Sequence, residues 1–373
     1  MGINDSGKIA LFAPSLVGGG AERVMVNLAR GMVEQGKDVD LVLAKAEGPY
    51  LADVPSDVRV VDLNAKRVLT SLPALVRYLR QERPVALLSA LDHANIVALW
   101  AVWLARVNTR VVVSVHNTIS RDSENAATLR GKLGPRLIKL FYPSAYKVVV
   151  VSEAAKEDLL LATGLSPESV MVILNPVVTP DLFEKAKLLP RHPWFACGEP
   201  PVILGVGRLT KQKDFPTLIS AFAVLRQQFE ARLMIIGEGE ERQKLENMVA
   251  ELGLGEDVSL PGFDENPYAY MAHAKVFVLS SLYEGLPTVL IESLAVGTPI
   301  VSTDCPSGPR EILDNGRYGT LVPVGDKQAI AQSVLTVLQN ASSSDTPVDA
   351  WAPFELSKVT SMYLAVLVGD KVA

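Results

Sequence analysis

The chain has 373 residues, of which 49% are hydrophobic and 21% charged, with a formal net charge of −5. That is the make-up of an ordinary globular protein of about two domains, and the acidic balance argues against nucleic acid as a partner. The two cysteines, Cys197 and Cys305, have no metal-binding spacing and give no disulfide framework, which points to a reducing compartment.

The first apolar segment, Ile9 to Val17, contains Pro14 and runs into glycines, which suits a buried strand better than a signal sequence. The longest apolar stretch, Ile96 to Ala105 (IVALWAVWLA), is half what a membrane span needs and reads as a buried helix. The chain is therefore expected to be cytoplasmic. Strands are predicted at Lys8–Ala13, Val39–Leu43, Val58–Asp62, Val85–Ser89, Arg110–His116 and Lys147–Ser152, with amphipathic segments between several of them. Continuous Val/Ile/Leu runs alternating with helices indicate a parallel sheet covered on both faces, a doubly wound α/β domain. Ligands in such folds bind at the carboxyl ends of the strands. After the first strand comes Gly18-Gly19-Gly20-Ala21-Glu22, a glycine-rich turn opening a helix near Ala21. It has neither the dinucleotide fingerprint nor a Walker lysine, and what remains is a loop whose backbone can approach a ligand.

His116 stands at the carboxyl end of the fifth strand, where structural and functional readings are equally open; Asp92 and His93, after the fourth, are weaker candidates. Asp38-Val39-Asp40 resembles a metal-binding triplet but begins a predicted strand, the wrong end for a site. Residues 1–180 carry 20 Lys and Arg against 17 Asp and Glu, a net +3, and residues 181–373 carry 16 against 24, a net −8. The positive excess is concentrated in Leu129–Lys147, with five basic residues, no acidic ones, and interleaved Leu, Ile, Phe and Tyr. Such a segment suits an anionic membrane surface or a solvated helix face packed on the core, and both readings stand.

Residues 181–200 lose any clean period among prolines and read as an interdomain connection. A second α/β series follows, with strands at Val202–Val206, Ala231–Ile236, Val258–Leu260, Val276–Ser280, Pro299–Ser302 and Gly319–Val322. The first runs into Gly207-Arg208-Leu209-Thr210-Lys211-Gln212-Lys213, which puts Arg208 and Lys213 on a strand-to-helix loop where a phosphate would be held. The third leads into Pro261-Gly262-Phe263. Tyr283 to Asp304 reads YEGLPTVLIESLAVGTPIVSTD, and Pro287 is a good helix entry. Glu284 then precedes the helix and Glu292 lies inside it. The amides from Leu286 and Thr288 onward, at the positive end of the helix dipole, could hold an anion. Two glutamates eight apart also occur by chance, so this spacing alone decides nothing. Residues 201–350 are expected to form the second domain and 351–373 a C-terminal helix packed on something already folded.

Together, EGLPTVLIE followed by SLAVGTPIVSTD, GVGRLTKQKD, IIGEGEER, LPGF, the Gly-Gly-Ala-Glu loop and VVVSEAAKEDL with ILNPV resemble the retaining glycosyltransferases of family 4 over nearly the whole chain. The resemblance implies the GT-B fold, two facing doubly wound domains with a cleft between them, residues 1–180 being the acceptor side and 351–373 crossing back to it. It implies a nucleotide-diphospho-sugar on the second domain, its diphosphate neutralised by Arg208 and Lys213 and capped by the helix after Glu284, through Leu286, Pro287 and Thr288. By the same resemblance Glu292 would hold the ribose, Glu284 the sugar, and Phe263 the base. Gly19 and Gly20 would close over phosphate and sugar, and His116 would face sugar or acceptor. No metal and no cofactor are implied.

The chain departs from many relatives in reading Asp304-Cys305-Pro306-Ser307-Gly308-Pro309-Arg310-Glu311 where they carry Gly-Gly-x-x-Glu. The Pro-Ser-Gly-Pro form resembles relatives that build bacterial surface polysaccharides or lipid-linked oligosaccharides, often from UDP-sugars. The expectation is transfer, with retention, of a sugar from a UDP-sugar to a glycan or lipid-linked acceptor, at the inner membrane surface if Leu129–Lys147 binds it. A nucleotide-sugar 2-epimerase and a non-catalytic nucleotide-sugar-binding protein are the alternatives on the same fold.

Overall fold

The structure, a computed structural model, describes residues 7–17, 20–116, 136–306, 308–340 and 347–369. The chain divides into two units, residues 1–177 with 354–373, and residues 178–353.

The first unit carries strands β1 (Ile9–Ala13), β2 (Val39–Leu43), β3 (Arg59–Asp62), β4 (Ala86–Ala90), β5 (Arg110–Val115), β6 (Lys147–Val150) and β7 (Val170–Val172). They form a parallel sheet in the order β3-β2-β1-β4-β5-β6-β7. Its helices are α1 (Gly20–Glu34), α2 (Leu72–Glu82), α3 (Asp92–Ala105) and α4 (Glu153–Thr163). Alternation along β1 feeds both faces of the sheet: Ala10 and Phe12 join one apolar cluster, Ile9, Leu11 and Ala13 the other.

The second unit carries β8 (Val202–Val206), β9 (Arg232–Ile236), β10 (Val258–Gly262), β11 (Val276–Leu279), β12 (Ile300–Thr303) and β13 (Thr320–Val322), parallel in the order β10-β9-β8-β11-β12-β13. Its helices are α5 (Pro180–Ala186), α6 (Phe215–Arg226), α7 (Arg242–Glu251), α8 (Pro267–His273), α9 (Thr288–Ala295), α10 (Pro309–Ile312) and α11 (Lys327–Gln339). The last helix, α12 (Leu356–Leu367), returns to the first unit and packs on α1, burying Val359, Tyr363, Leu364 and Leu367 in the cluster that holds Ile9 and Leu11. Among the described residues no helix is long and apolar enough to cross a membrane.

Several sequence expectations change. The stretch 181–200 belongs to the second unit. Thr179 caps α5 by accepting from the Leu182 amide, Pro180 occupies the first turn, and Leu182 and Ala186 are buried. Asn266 Nδ2, in turn, donates to Lys185 O at 3.0 Å. The helix over Ile96–Ala105 is buried on one side only, for Trp103 is 77% exposed. Strand β7 is an addition that the sequence pattern does not predict.

Asp40 of the metal-like triplet has a structural task, in keeping with its position near the amino end of β2. It is fully buried and accepts from Arg59 Nε at 2.8 Å and from the Tyr78 hydroxyl at 2.7 Å, with Lys8 Nζ at 3.4 Å. Burial alone would raise its carboxyl pKa, but the hydrogen bonds from Arg59 and Tyr78 and the Lys8 charge outweigh it and hold the group below the ordinary carboxylate value.

Candidate active site

At the carboxyl edge of the second sheet the loops after β8, β11 and β12 meet. The adjacency of β8 and β11 in the sheet places Lys213 against Glu284, Nζ to Oε1 at 2.7 Å, although they lie 71 residues apart in sequence. Their side chains are 16% and 7% exposed, so this is a nearly buried ion pair. Such a pair is tolerated only when the remaining lone pairs and protons are also satisfied. Here Ser281 Oγ donates to Glu284 Oε1 at 2.6 Å, and Gln212 Nε2 reaches Oε2 at 3.4 Å and donates to Tyr283 O at 3.0 Å. The supporting strand ends are fixed in turn, Ser280 Oγ donating to Lys213 O and Thr303 Oγ1 to Ser281 O, both at 2.7 Å. Sequence reasoning misses Gln212, Ser280, Ser281 and Thr303. Gln212 stands beside Lys213 in GVGRLTKQKD, but the serines and the threonine carry no signal.

Lys213 closes a short 3-10 turn, Lys211–Lys213, and Asp214, at a left-handed φ of 45°, bends the chain into α6. Arg208 lies on the same loop, five residues earlier, and is exposed. Among the described residues no carboxylate is paired with its guanidinium. Two glycines permit the close approach of these loops. A Cβ on Gly237, after β9, would lie 1.9 Å from Gly207 O, and one on Gly308, at φ +89°, would lie 2.5 Å from Pro287 Cδ and 2.9 Å from Gly285 O.

Helix α9 starts where the sequence indicates, with Pro287 as its N-cap and no side-chain cap. The Thr288 and Val289 amides therefore have no intrahelical acceptor, and the helix dipole makes this terminus favourable to an anion. Leu286 is half-buried beside it. Glu292 is buried one turn inside, where the Tyr268 hydroxyl lies 3.4 Å from Oε1. Phe263, after β10, is 75% exposed. The second unit thus collects Arg208, Lys213, Glu284, Leu286, Pro287, Thr288, Glu292 and Phe263 on the loops and helix starts that follow its strands. Chemically, two cations and a helix terminus suit a diphosphate, and two buried carboxylates suit hydroxyl groups.

The first unit carries its candidates separately. Gly20 is the exposed first residue of α1, while Gly19 lies outside the described residues. His116 directly follows β5. Its Nε2 is 3.0 Å from Ser114 Oγ, which is 3.3 Å from the Tyr363 hydroxyl of α12. Its Nδ1 is buried without a partner among the described residues. Asp92 accepts from the buried Tyr142 hydroxyl at 3.0 Å, a structural use. Burial holds the His116 imidazole down to about 4, so it is neutral at pH 7. In the unfolded chain the ring titrates near 6.5, so between these values the unfolded state binds more protons than the folded one. The stability this ring contributes is complete above about pH 6.5 and is lost as pH falls toward about 4, on the order of 3 kcal/mol. Thermal unfolding between pH 7 and pH 4 is expected to show a smaller acid loss in His116→Asn than in the unaltered protein; an equal loss would mean the ring is not buried neutral.

Glycosyltransferase Family 4 matches residues 18–180, and Glycosyl transferases group 1 matches residues 191–349. The chain is 31% identical over 345 residues to the N-acetylgalactosamine-N,N'-diacetylbacillosaminyl-diphospho-undecaprenol 4-alpha-N-acetylgalactosaminyltransferase of Campylobacter jejuni, covering 89% of this chain and 90% of that one. The chain belongs to glycosyltransferase family 4. This glycosyltransferase is also 27% identical to the lipopolysaccharide core biosynthesis glycosyltransferase LpsE of Rhizobium meliloti, over 87% of each. Among solved structures, HepE of Anabaena in complex with UDP-glucose superposes with a TM-score of 0.80 at 20% identity, over 98% of this chain and 100% of that one. That likeness shows the fold, GT-B. The names of these relatives favour transfer over the epimerase alternative.

Proposed function

We propose that this glycosyltransferase moves a sugar, with retention of anomeric configuration, from a UDP-sugar to a glycan or lipid-linked acceptor during assembly of a bacterial polysaccharide or oligosaccharide. The observation that carries the donor assignment is the Lys213–Glu284 pair beside the uncapped start of α9, with Arg208 on the same loop as Lys213. When the anomeric C–O bond breaks, its electron pair goes to the diphosphate, and fixed cations there lower the barrier most directly. Arg208, Lys213 and the α9 amides supply that stabilisation, and the reaction needs no resident metal or other cofactor. Glu284 holds hydroxyls of the transferred sugar, Glu292 those of the ribose, and Phe263 the base. We assign His116, Gly19 and Gly20 to sugar and acceptor. The acceptor hydroxyl attacks from the leaving-group face and passes its proton to a diphosphate oxygen, which gives retention.

The LpsE and Campylobacter jejuni relatives, named for lipopolysaccharide core biosynthesis and for an undecaprenol-linked acceptor, support the acceptor class. We place the enzyme in the cytoplasm, peripheral at the inner membrane, with the basic segment Leu129–Lys147 facing anionic lipid; residues 136–147 of it are described, with Arg136 and Lys139 exposed. A thermal-shift titration with UDP-, GDP- and ADP-sugars tests the donor. A UDP-sugar held with a Kd a hundredth of its concentration stabilises by about 2.7 kcal/mol, and equal small shifts from all three nucleotides would remove the UDP assignment.

A further inference from the structure

In the first unit, α3, residues 108–111 and residues 140–146 border an open cavity of about 690 Å³, within the size range of small-molecule sites. Trp100 and Phe141 meet edge to face in its wall, ring centroids 5.2 Å apart. Trp103, Leu140 and Tyr146 also line it and are 77%, 68% and 50% exposed. Large apolar side chains grouped this way on a water-facing surface mark a docking site. Sharing Asn108 and Thr109 with this cavity is a second one, of about 550 Å³, lined by Arg80, Arg83 and Arg106. Residues 99–111 and 136–147 together contain five Lys and Arg and no Asp or Glu, in a chain of net charge −5.

The arginines are not all spoken for. Arg80 bonds the carboxyl end of α3, donating to Leu104 O at 2.9 Å, and so offsets the negative end of that helix. Arg83 and Arg106 are exposed, and among the described residues neither is paired with a carboxylate. An apolar cavity rimmed by tryptophan and tyrosine and joined to a basic one matches an amphiphile with an anionic head. All of these residues lie toward the start of β5, at the opposite end of that strand from His116.

We propose that this double cavity seats an anionic phospholipid of a bilayer surface, an acyl chain entering beside Trp100, Trp103 and Leu140 and the phosphate meeting Arg83 and Arg106. It rests on the reading above that the enzyme meets anionic membrane, and it names the seat. Co-sedimentation of the full chain with vesicles of phosphatidylcholine alone, or mixed with phosphatidylglycerol, tests it. The unaltered protein binds the mixed vesicles and not the neutral ones. Trp103→Ser with Leu140→Ser, both at exposed positions and checked for unchanged unfolding temperature, weakens binding at least about tenfold, and Arg83→Gln with Arg106→Gln weakens it about fivefold per charge. If the unaltered protein binds mixed vesicles and both variants bind as well, the cavity is not the seat and the membrane reading stands. If the unaltered protein ignores mixed vesicles, both fall. Equal binding to neutral vesicles overturns the preference for a net anionic headgroup.

Discussion

Arg208→Ala is expected to lower kcat by roughly 10²–10³, a loss of about 3–4 kcal/mol of transition-state stabilisation, by analogy with removing one preorganised donor from a developing oxyanion. Negative charge on the departing diphosphate is greatest as the anomeric bond breaks, so a cation there acts more on the transition state than on bound donor. The fall should accordingly appear in kcat and in kcat/KM together. Because Arg208 is exposed and, among the described residues, paired with no carboxylate, the substitution should leave stability within about 0.5 kcal/mol. Steady-state kinetics beside a thermal melt separates the two effects. A loss of less than about tenfold in kcat would remove Arg208 from the leaving group.

Lys213→Ala is expected to cost both rate and stability. Its amine is the cationic partner of a carboxylate that is 7% exposed, and removal leaves Glu284, among the described residues, with Ser281 and Gln212 as side-chain donors. A buried carboxylate stripped of its charged partner should destabilise the second unit by about 2 kcal/mol, below the figure for a fully buried pair because the two neutral donors remain. The rate should fall by roughly 10²–10³, as for Arg208. The double variant Lys213→Ala with Glu284→Ala removes the stranded charge as well, so it should regain part of the stability and none of the rate. Lys213→Ala melting with the unaltered protein would show that the pair contributes nothing to the fold.

These two residues also mark how far the sequence can be read. Ile9–Ala13 and Val202–Val206 stand out as strands because a parallel sheet covered on both faces demands uninterrupted apolar runs. Strand β7 escapes because Val170–Val172 is three residues long with Met171 exposed, too short to carry a period. Prolines mask α5. Pro180 opens that helix in its first turn, whereas Pro190 and Pro193 lie beyond its end, and in the sequence all three look like breaks until the Thr179 cap is seen. At the site, the types are legible: a cationic strand-to-helix loop, a proline-started helix, two glutamates. Their partnership is not, because nothing local in the chain says that β8 and β11 are neighbours, and that adjacency is what joins Lys213 to Glu284. The exposure of Trp103 is hidden for a related reason. A helix apolar on every side reads as buried, and only the packing of α3 against the sheet tells which residues remain outside.

The central claim is that the second unit holds its donor chiefly by the diphosphate, through Arg208, Lys213 and the start of α9. The most direct measurement extends the donor titration to the bare ligands, comparing by calorimetry the nucleoside diphosphate that stabilises most with its own nucleoside. The diphosphate should bind at least about a hundredfold more tightly, nearly 3 kcal/mol from charge-assisted contacts. A nucleoside that binds as tightly as its diphosphate would contradict the account.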